Sequence, residues 1–100
     1  MGHDKILDAH GNEIHLEIEL HPGVVLSDEL EAKKLTKSAF AMKIGMYPSH
    51  FSDIIKGKRN VTASIALKLE KELGISAEFW LGLQMDYDLY TERNKLRQIA

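Results

Sequence analysis

The chain contains no cysteine, so it can form neither a disulfide nor a thiolate zinc site, a usage that fits a reducing cytoplasm. No apolar run approaches the roughly 18 residues that a membrane-crossing helix needs. The opening MGHDKILDAHGNE lacks the basic start and apolar middle of a secretory signal. It also misses the N-myristoylation pattern, because Ile6 stands where Ser or Thr is required. There is no glycine-rich phosphate loop, no Gly-x-Ser-x-Gly elbow and no thiol nucleophile, so an enzyme is not expected. His3, His10, His15 and His21, with Asp4 and Asp8, could be drawn as a metal site. Their spacings of seven, five and six residues match no compact ligand set, so neither a metal nor a cofactor is expected. The exclusions leave a cytoplasmic, non-catalytic chain whose 100 residues suit one small domain with an arm.

What is present is charge, unevenly distributed. Net charge is only −2, yet residues 1–32 carry eight carboxylates against the single Lys5, a local −7. Residues 33–60 carry Lys33, Lys34, Lys37, Lys43, Lys56, Lys58 and Arg59 against Asp53, a local +6. Such segregation suits two partners of opposite sign, although a merely solvated surface would read the same way by charge alone.

Periodicity divides the chain near residue 20. In EIHLEIEL, Ile14, Leu16, Ile18 and Leu20 alternate with Glu13, His15, Glu17 and Glu19, which predicts a strand. With KIL before it and DAHGN between, residues 1–20 read as an acidic strand or hairpin arm. After HPG the period becomes helical, and residues 21–100 read as a five-helix domain. A first helix is expected from about Val24 to Lys34, with Val25, Leu26 and Leu30 inward. Thr36 caps a second, with Phe40, Ala41 and Ile44 inward and Gly45 as the stop. Pro48 opens a third, where Phe51, Ile54 and Ile55 share one face and Ser49, His50, Ser52, Asp53 and Lys56 the other, before Gly57. Thr62 caps a fourth, with Ile65, Ala66, Leu69 and Leu73 buried and Gly74 as its end. Ser76 caps a fifth through AEFWLGLQMDYDLYTERNKL, which carries two apolar rows. Its residues Phe79, Trp80, Leu81, Met85 and Leu89 are expected in a homodimer interface, the alternative being one small core that wraps the helix.

Two short helices joined by a glycine turn, the second polar on its outward side, describe a helix-turn-helix. The second helix of such a unit enters the DNA major groove, and cations and backbone N–H groups on either side hold phosphates. Lys37 at the start of the unit's first helix, and Lys56, Lys58 and Arg59 after its second, stand where those phosphates would run. The stretch LTKSAFAMKIGMYPSHFSDIIKGKRNVTASIALKLEKELGISAEFWLGLQMDYDL resembles the Xre/Cro-type helix-turn-helix of HigA-type antitoxins, also grouped as VapI-like or addiction-module antidotes. HPG, IKGKRNVTASIALKLEKELG and SAEFWLGLQMDYDL are each similar to the family's recurring pieces, in the same order, over roughly Leu20 to Leu89. The resemblance implies a mainly α, lambda-repressor-like fold and a dimer on double-stranded operator DNA. It implies an antitoxin that represses its own operon and neutralises a HigB/RelE-like ribonuclease toxin. By position it places Ser49, His50, Ser52 and Asp53 at the bases, and Lys37, Tyr47, Lys56, Lys58 and Arg59 at the phosphates. Asp53 and Lys37 depart from the family pattern. A carboxylate repels phosphate unless it accepts from a cytosine amine, and a lysine replaces a frequent glutamine.

The family varies before HPG, so the arm is read from its own chemistry. Its negative charge complements a basic ribonuclease, and an alternating strand can extend a partner's sheet. Toxin contact is then expected at Ile14, Leu16, Glu17, Ile18 and Glu19. The competing expectation is that the strand pairs with its symmetry mate and builds the dimer. Two rival functions stand beside the antitoxin: a stand-alone Xre-family repressor, and a protein-interaction module that has given up DNA.

Overall fold

In the computed structural model, residues 20–99 and the backbone of Ile6–Leu7 and Glu13–Ile14 are described. Five helices follow in order: α1 (Pro22–Ala32), α2 (Lys37–Lys43), α3 (Pro48–Ile55), α4 (Ala63–Leu73) and α5 (Ala77–Ile99). The expected arm is not supported as part of this architecture. Among the described residues, strand pairing joins Ile6–Leu7 (β1) to antiparallel Glu13–Ile14 (β2), two residues each. A ladder that short supplies too few hydrogen bonds to stand by itself. The remaining alternating residues below Leu20, Leu16, Glu17, Ile18 and Glu19 among them, lie outside the described residues.

Side-chain caps start four of the helices. Thr36 accepts from the Ala39 N–H (3.2 Å), Thr62 from Ile65 (3.3 Å) and Ser76 from Phe79 (3.1 Å), each satisfying a donor that the first turn leaves unpaired. α1 begins two residues earlier than the periodicity predicts, because His21 is its cap. The imidazole Nδ1 accepts from the Gly23 N–H at 2.9 Å, and Pro22 occupies the first helical position, where no N–H is needed. Gly23 is there for proximity. A Cβ at this position would overlap the carbonyl oxygens of Ile54 and Ile55, so only glycine lets α1 sit on the end of α3.

The core gathers Leu26, Leu30, Phe40, Ala41, Ile44, Phe51, Ile54, Val61, Ala66, Leu69, Ala77 and Trp80. α1 and α2 pack on α3, while α5 packs on α4 and returns to α1. Trp80 is the largest fully buried side chain. Its assignment to a dimer interface is therefore corrected: at 0% exposure it is an anchor of the chain's own core. An apolar row on a helix reveals that the row is covered, not by which surface.

Candidate nucleic-acid interface

α2 and α3 form one unit through the tilted Phe40–Phe51 ring pair, centroids 5.6 Å apart. The turn between them reverses at Gly45, whose φ of +74° is in the left-handed region that glycine tolerates best. The Met46 N–H then closes on the Ala41 carbonyl at 2.8 Å, fixing how α3 leaves the turn. With Phe51 and Ile54 both fully buried, α3 cannot roll without opening the core. Its other side is open: Ser49, His50 and Lys56 are exposed, and Ser52 and Asp53 are half-buried.

Tyr47 caps α3 by backbone alone and is 72% exposed, with its ring edge-on to the His50 imidazole at 5.6 Å. Beyond α3 the chain turns at Gly57 (φ +78°), and the Lys58 and Arg59 N–H groups both donate to the Asp53 carbonyl, at 2.8 and 3.2 Å. Asp53 thus shapes the basic loop with its backbone, whatever its carboxylate meets. Lys37 opens α2 at a helix start that has no acidic residue in its first turn, so its charge adds to the positive end of the helix dipole.

The cations sort themselves by partner. Lys43 is paired with Glu72 (3.3 Å) and Lys33 with Glu29 (3.4 Å). Among the described residues none of Lys37, Lys56, Lys58 and Arg59 has a carboxylate partner, and all four are exposed. The four cations expected at phosphates are thus solvated charges on the side where α3 is open, available to an anion at small desolvation expense.

Two residues behind this surface escaped the sequence reading. His21 is buried against α5, edge-on to Tyr87 at 4.9 Å, and its ring occupies the space that a Cβ at Gly57 would face. Burial pushes its pKa below the ordinary imidazole value, and the Asp88 carboxylate opposes that fall. Gln84, one helical turn after Trp80 and 5% exposed, accepts from the Val61 N–H at 2.8 Å and so reaches the loop end. A polar residue in register with a buried tryptophan was its signal in the sequence; the HP pair ahead of a helix was that of His21.

Of the residues expected at a dimer interface, Phe79 (45%), Met85 (56%) and Leu89 (42%) are exposed and Leu81 is half-buried, so a second apolar side of α5 is open beside the buried row of Trp80. No helix among the described residues is long and apolar enough to cross a membrane.

A family profile described as Helix-turn-helix matches residues 26–80. Virulence-associated protein I of Dichelobacter nodosus is 37% identical over 71 residues, covering 70% of this chain. The match spans 66% of that relative's own length. Antitoxin HigA-1 of Vibrio cholerae is also 37% identical over 71 residues, covering 71% of this chain and 67% of the relative. Among solved structures, the Pseudomonas aeruginosa antitoxin HigA with higBA promoter superposes with a TM-score of 0.75 at 31% identity, over 82% of this chain and 91% of that one. The similarity spans the helices that carry the open face of α3 and the basic loop, and a member of that group has been solved on promoter DNA.

Proposed function

The chain belongs to the HigA-type antitoxin family of Xre-type helix-turn-helix proteins, and from that premise we propose that it is an operator-binding antitoxin. It acts as a homodimer that represses its own operon and neutralises a HigB/RelE-like ribonuclease toxin. The observation that carries the DNA-binding part is the open face of α3, anchored by Phe51 and Ile54 and flanked by four exposed cations with no carboxylate partner among the described residues.

In this reading α3 lies in the major groove. Ser49 and His50, at its N-terminal end, meet base edges, with Ser52 and Asp53 deeper along the same side. Lys37, Tyr47, Lys56, Lys58 and Arg59 hold phosphates to either side and fix the register. Asp53 is favourable only opposite a cytosine amine, which makes it a discriminator rather than a source of affinity. The open side of α5, from Phe79, Leu81, Met85 and Leu89, joins two copies, and two-fold symmetry sets half-sites about one helical turn apart. The acidic residues 1–20 meet the basic toxin by charge, with contact at Ile14, Leu16, Glu17, Ile18 and Glu19.

Co-expression of the full chain with the products of the genes that flank its own, followed by affinity capture, tests the toxin half. Recovery of a stable pair whose ribonuclease activity is suppressed supports the antitoxin. Operator binding by a chain that captures no such protein leaves a stand-alone repressor. Titration of labelled duplex across salt tests the DNA half: the logarithm of affinity must fall linearly with log salt, with a slope set by the phosphates neutralised.

A further inference from the structure

The seven residues from Lys56 to Thr62 link α3 to α4 and carry Lys58 and Arg59, and they are clamped at both ends. At the first end the Asp53 carbonyl accepts from Lys58 and Arg59, and the Gly57 N–H closes on Ile54 at 3.0 Å. At the second, the Val61 side chain is 3% exposed in the core and its N–H donates to Gln84 Oε1 at 2.8 Å. The Gln84 Nε2 donates in turn to Asn60 Oδ1 (3.2 Å) and Asp88 Oδ1 (2.9 Å).

The partners dictate the side chain. Val61 offers only a donor, and Asn60 Oδ1 and Asp88 Oδ1 act as acceptors, so one group must accept once and donate twice from a buried position. A glutamine does this. A leucine of similar size would strand the Val61 N–H, and a glutamate would turn a second carboxylate toward Asp88. Gln84 itself is too buried to reach a phosphate.

We propose that Gln84 is a positioning residue for DNA binding, holding Asn60 and Val61 so that Lys58 and Arg59 are presented at the phosphate track. The proposal rests on the DNA-binding reading above, and it makes the buried row of α5 part of the nucleic-acid interface without contact.

The test measures binding of the full chain to a labelled random-sequence duplex across a range of salt. Gln84→Leu should bind about tenfold more weakly, with a log–log salt slope flatter by roughly one unit, as expected when one phosphate contact is lost. In a Lys58→Ala, Arg59→Ala background the same change should add less than about twofold, because contacts that act through one another are non-additive. Asn60→Ala, which keeps Val61 bonded, should weaken binding about threefold and add nothing to Gln84→Leu. Wild-type affinity and slope in Gln84→Leu would overturn the proposal, as would a full loss that persists without Lys58 and Arg59. Should Gln84→Leu melt before the assay temperature, Asn60→Ala decides by the same two criteria. A wild-type chain that ignores duplex even at low salt would instead remove the DNA-binding reading beneath it.

Discussion

α3 and α5 are the two helices that the proposed function needs most, and they bury themselves in opposite ways. α3 has eight residues and one covered side: Phe51 and Ile54 are sealed while Ser49 and His50 stand in solvent. α5 has 23 residues and two apolar sides, of which the one with Trp80 is filled by the chain itself and the one with Phe79, Met85 and Leu89 is not. A short helix with a single anchor row has only one orientation on the core, so the direction of its polar side follows. A long helix with two rows can be turned either way, and only the tertiary fold decides which row is left over. Among the described residues, Lys37, Lys56, Lys58 and Arg59 near the open face of α3 have no carboxylate partner, whereas Lys43 of α2 is held by Glu72 of α4.

The largest effect should come from attacking the anchor of the one-sided helix. Phe51→Ala removes a fully buried ring that packs on Phe40, and should lower stability by about 3–5 kcal/mol with loss of DNA binding through unfolding. Phe79→Ala, on the open side of α5, should change the melting of the isolated chain by less than about 1 kcal/mol while weakening self-association in sedimentation. Equal destabilisation by the two would erase the distinction between the helices.

Within α3 and its flank, the roles should separate. His50→Ala should alter base preference at one position in each half-site, by about 1–3 kcal/mol between the best base and the others. Arg59→Ala should weaken binding to every sequence about equally and flatten the salt slope by roughly one unit. A shared signature for both would dissolve the division into base-reading and phosphate-holding residues.

Much of this arrangement was legible in the sequence, for physical reasons. Thr36, Thr62 and Ser76 are strong caps with glycine or proline punctuation nearby, so four helix starts could be read with Pro48 included. Phe51 and Ile54 have helical spacing, which orients α3 and thereby exposes Ser49, His50 and Lys56. What escaped depends on contacts between distant elements. Gly23 is explained by α3 carbonyls some thirty residues away, and His21 caps with an imidazole, a less common cap than Ser, Thr, Asp or Asn. The sequence does not separate Trp80 from an interface residue, because its row and its neighbour's are both apolar, and the Lys43–Glu72 pair joins helices that the sequence cannot place side by side.

A pH titration probes the seam between the two regions, where His21 touches α5 and the loop after α3. Its folded pKa lies below that of the unfolded imidazole, about 6.5. The unfolded chain therefore takes up a proton first, so His21 supports stability fully above about pH 6.5 and loses that contribution as pH falls toward its folded pKa. His21→Asn keeps an acceptor for the Gly23 N–H and should flatten the loss of melting temperature in this acid window. A profile unchanged by the substitution would exclude His21 as its source. The effect should be smaller than those above, since Asp88 opposes the downward shift.

The smallest expected effect tests the sorting of the cations. Lys43 is 63% exposed at the side chain and spans 3.3 Å to the half-buried Glu72, a pair still open to solvent on the lysine side and of the kind worth about 0–1 kcal/mol. Lys43→Ala should therefore shift melting by less than about 1 kcal/mol and leave the salt slope of DNA binding unchanged, because Glu72 already neutralises the charge that a phosphate would otherwise see. Glu72→Gln frees Lys43 without removing it, and should strengthen duplex binding slightly at low salt if that lysine lies within reach of the backbone. A slope that flattens by a full unit in Lys43→Ala would mean that the lysine leaves its carboxylate for a phosphate on binding. Pairing in the free chain would then no longer separate the cations that hold DNA from those that hold the fold.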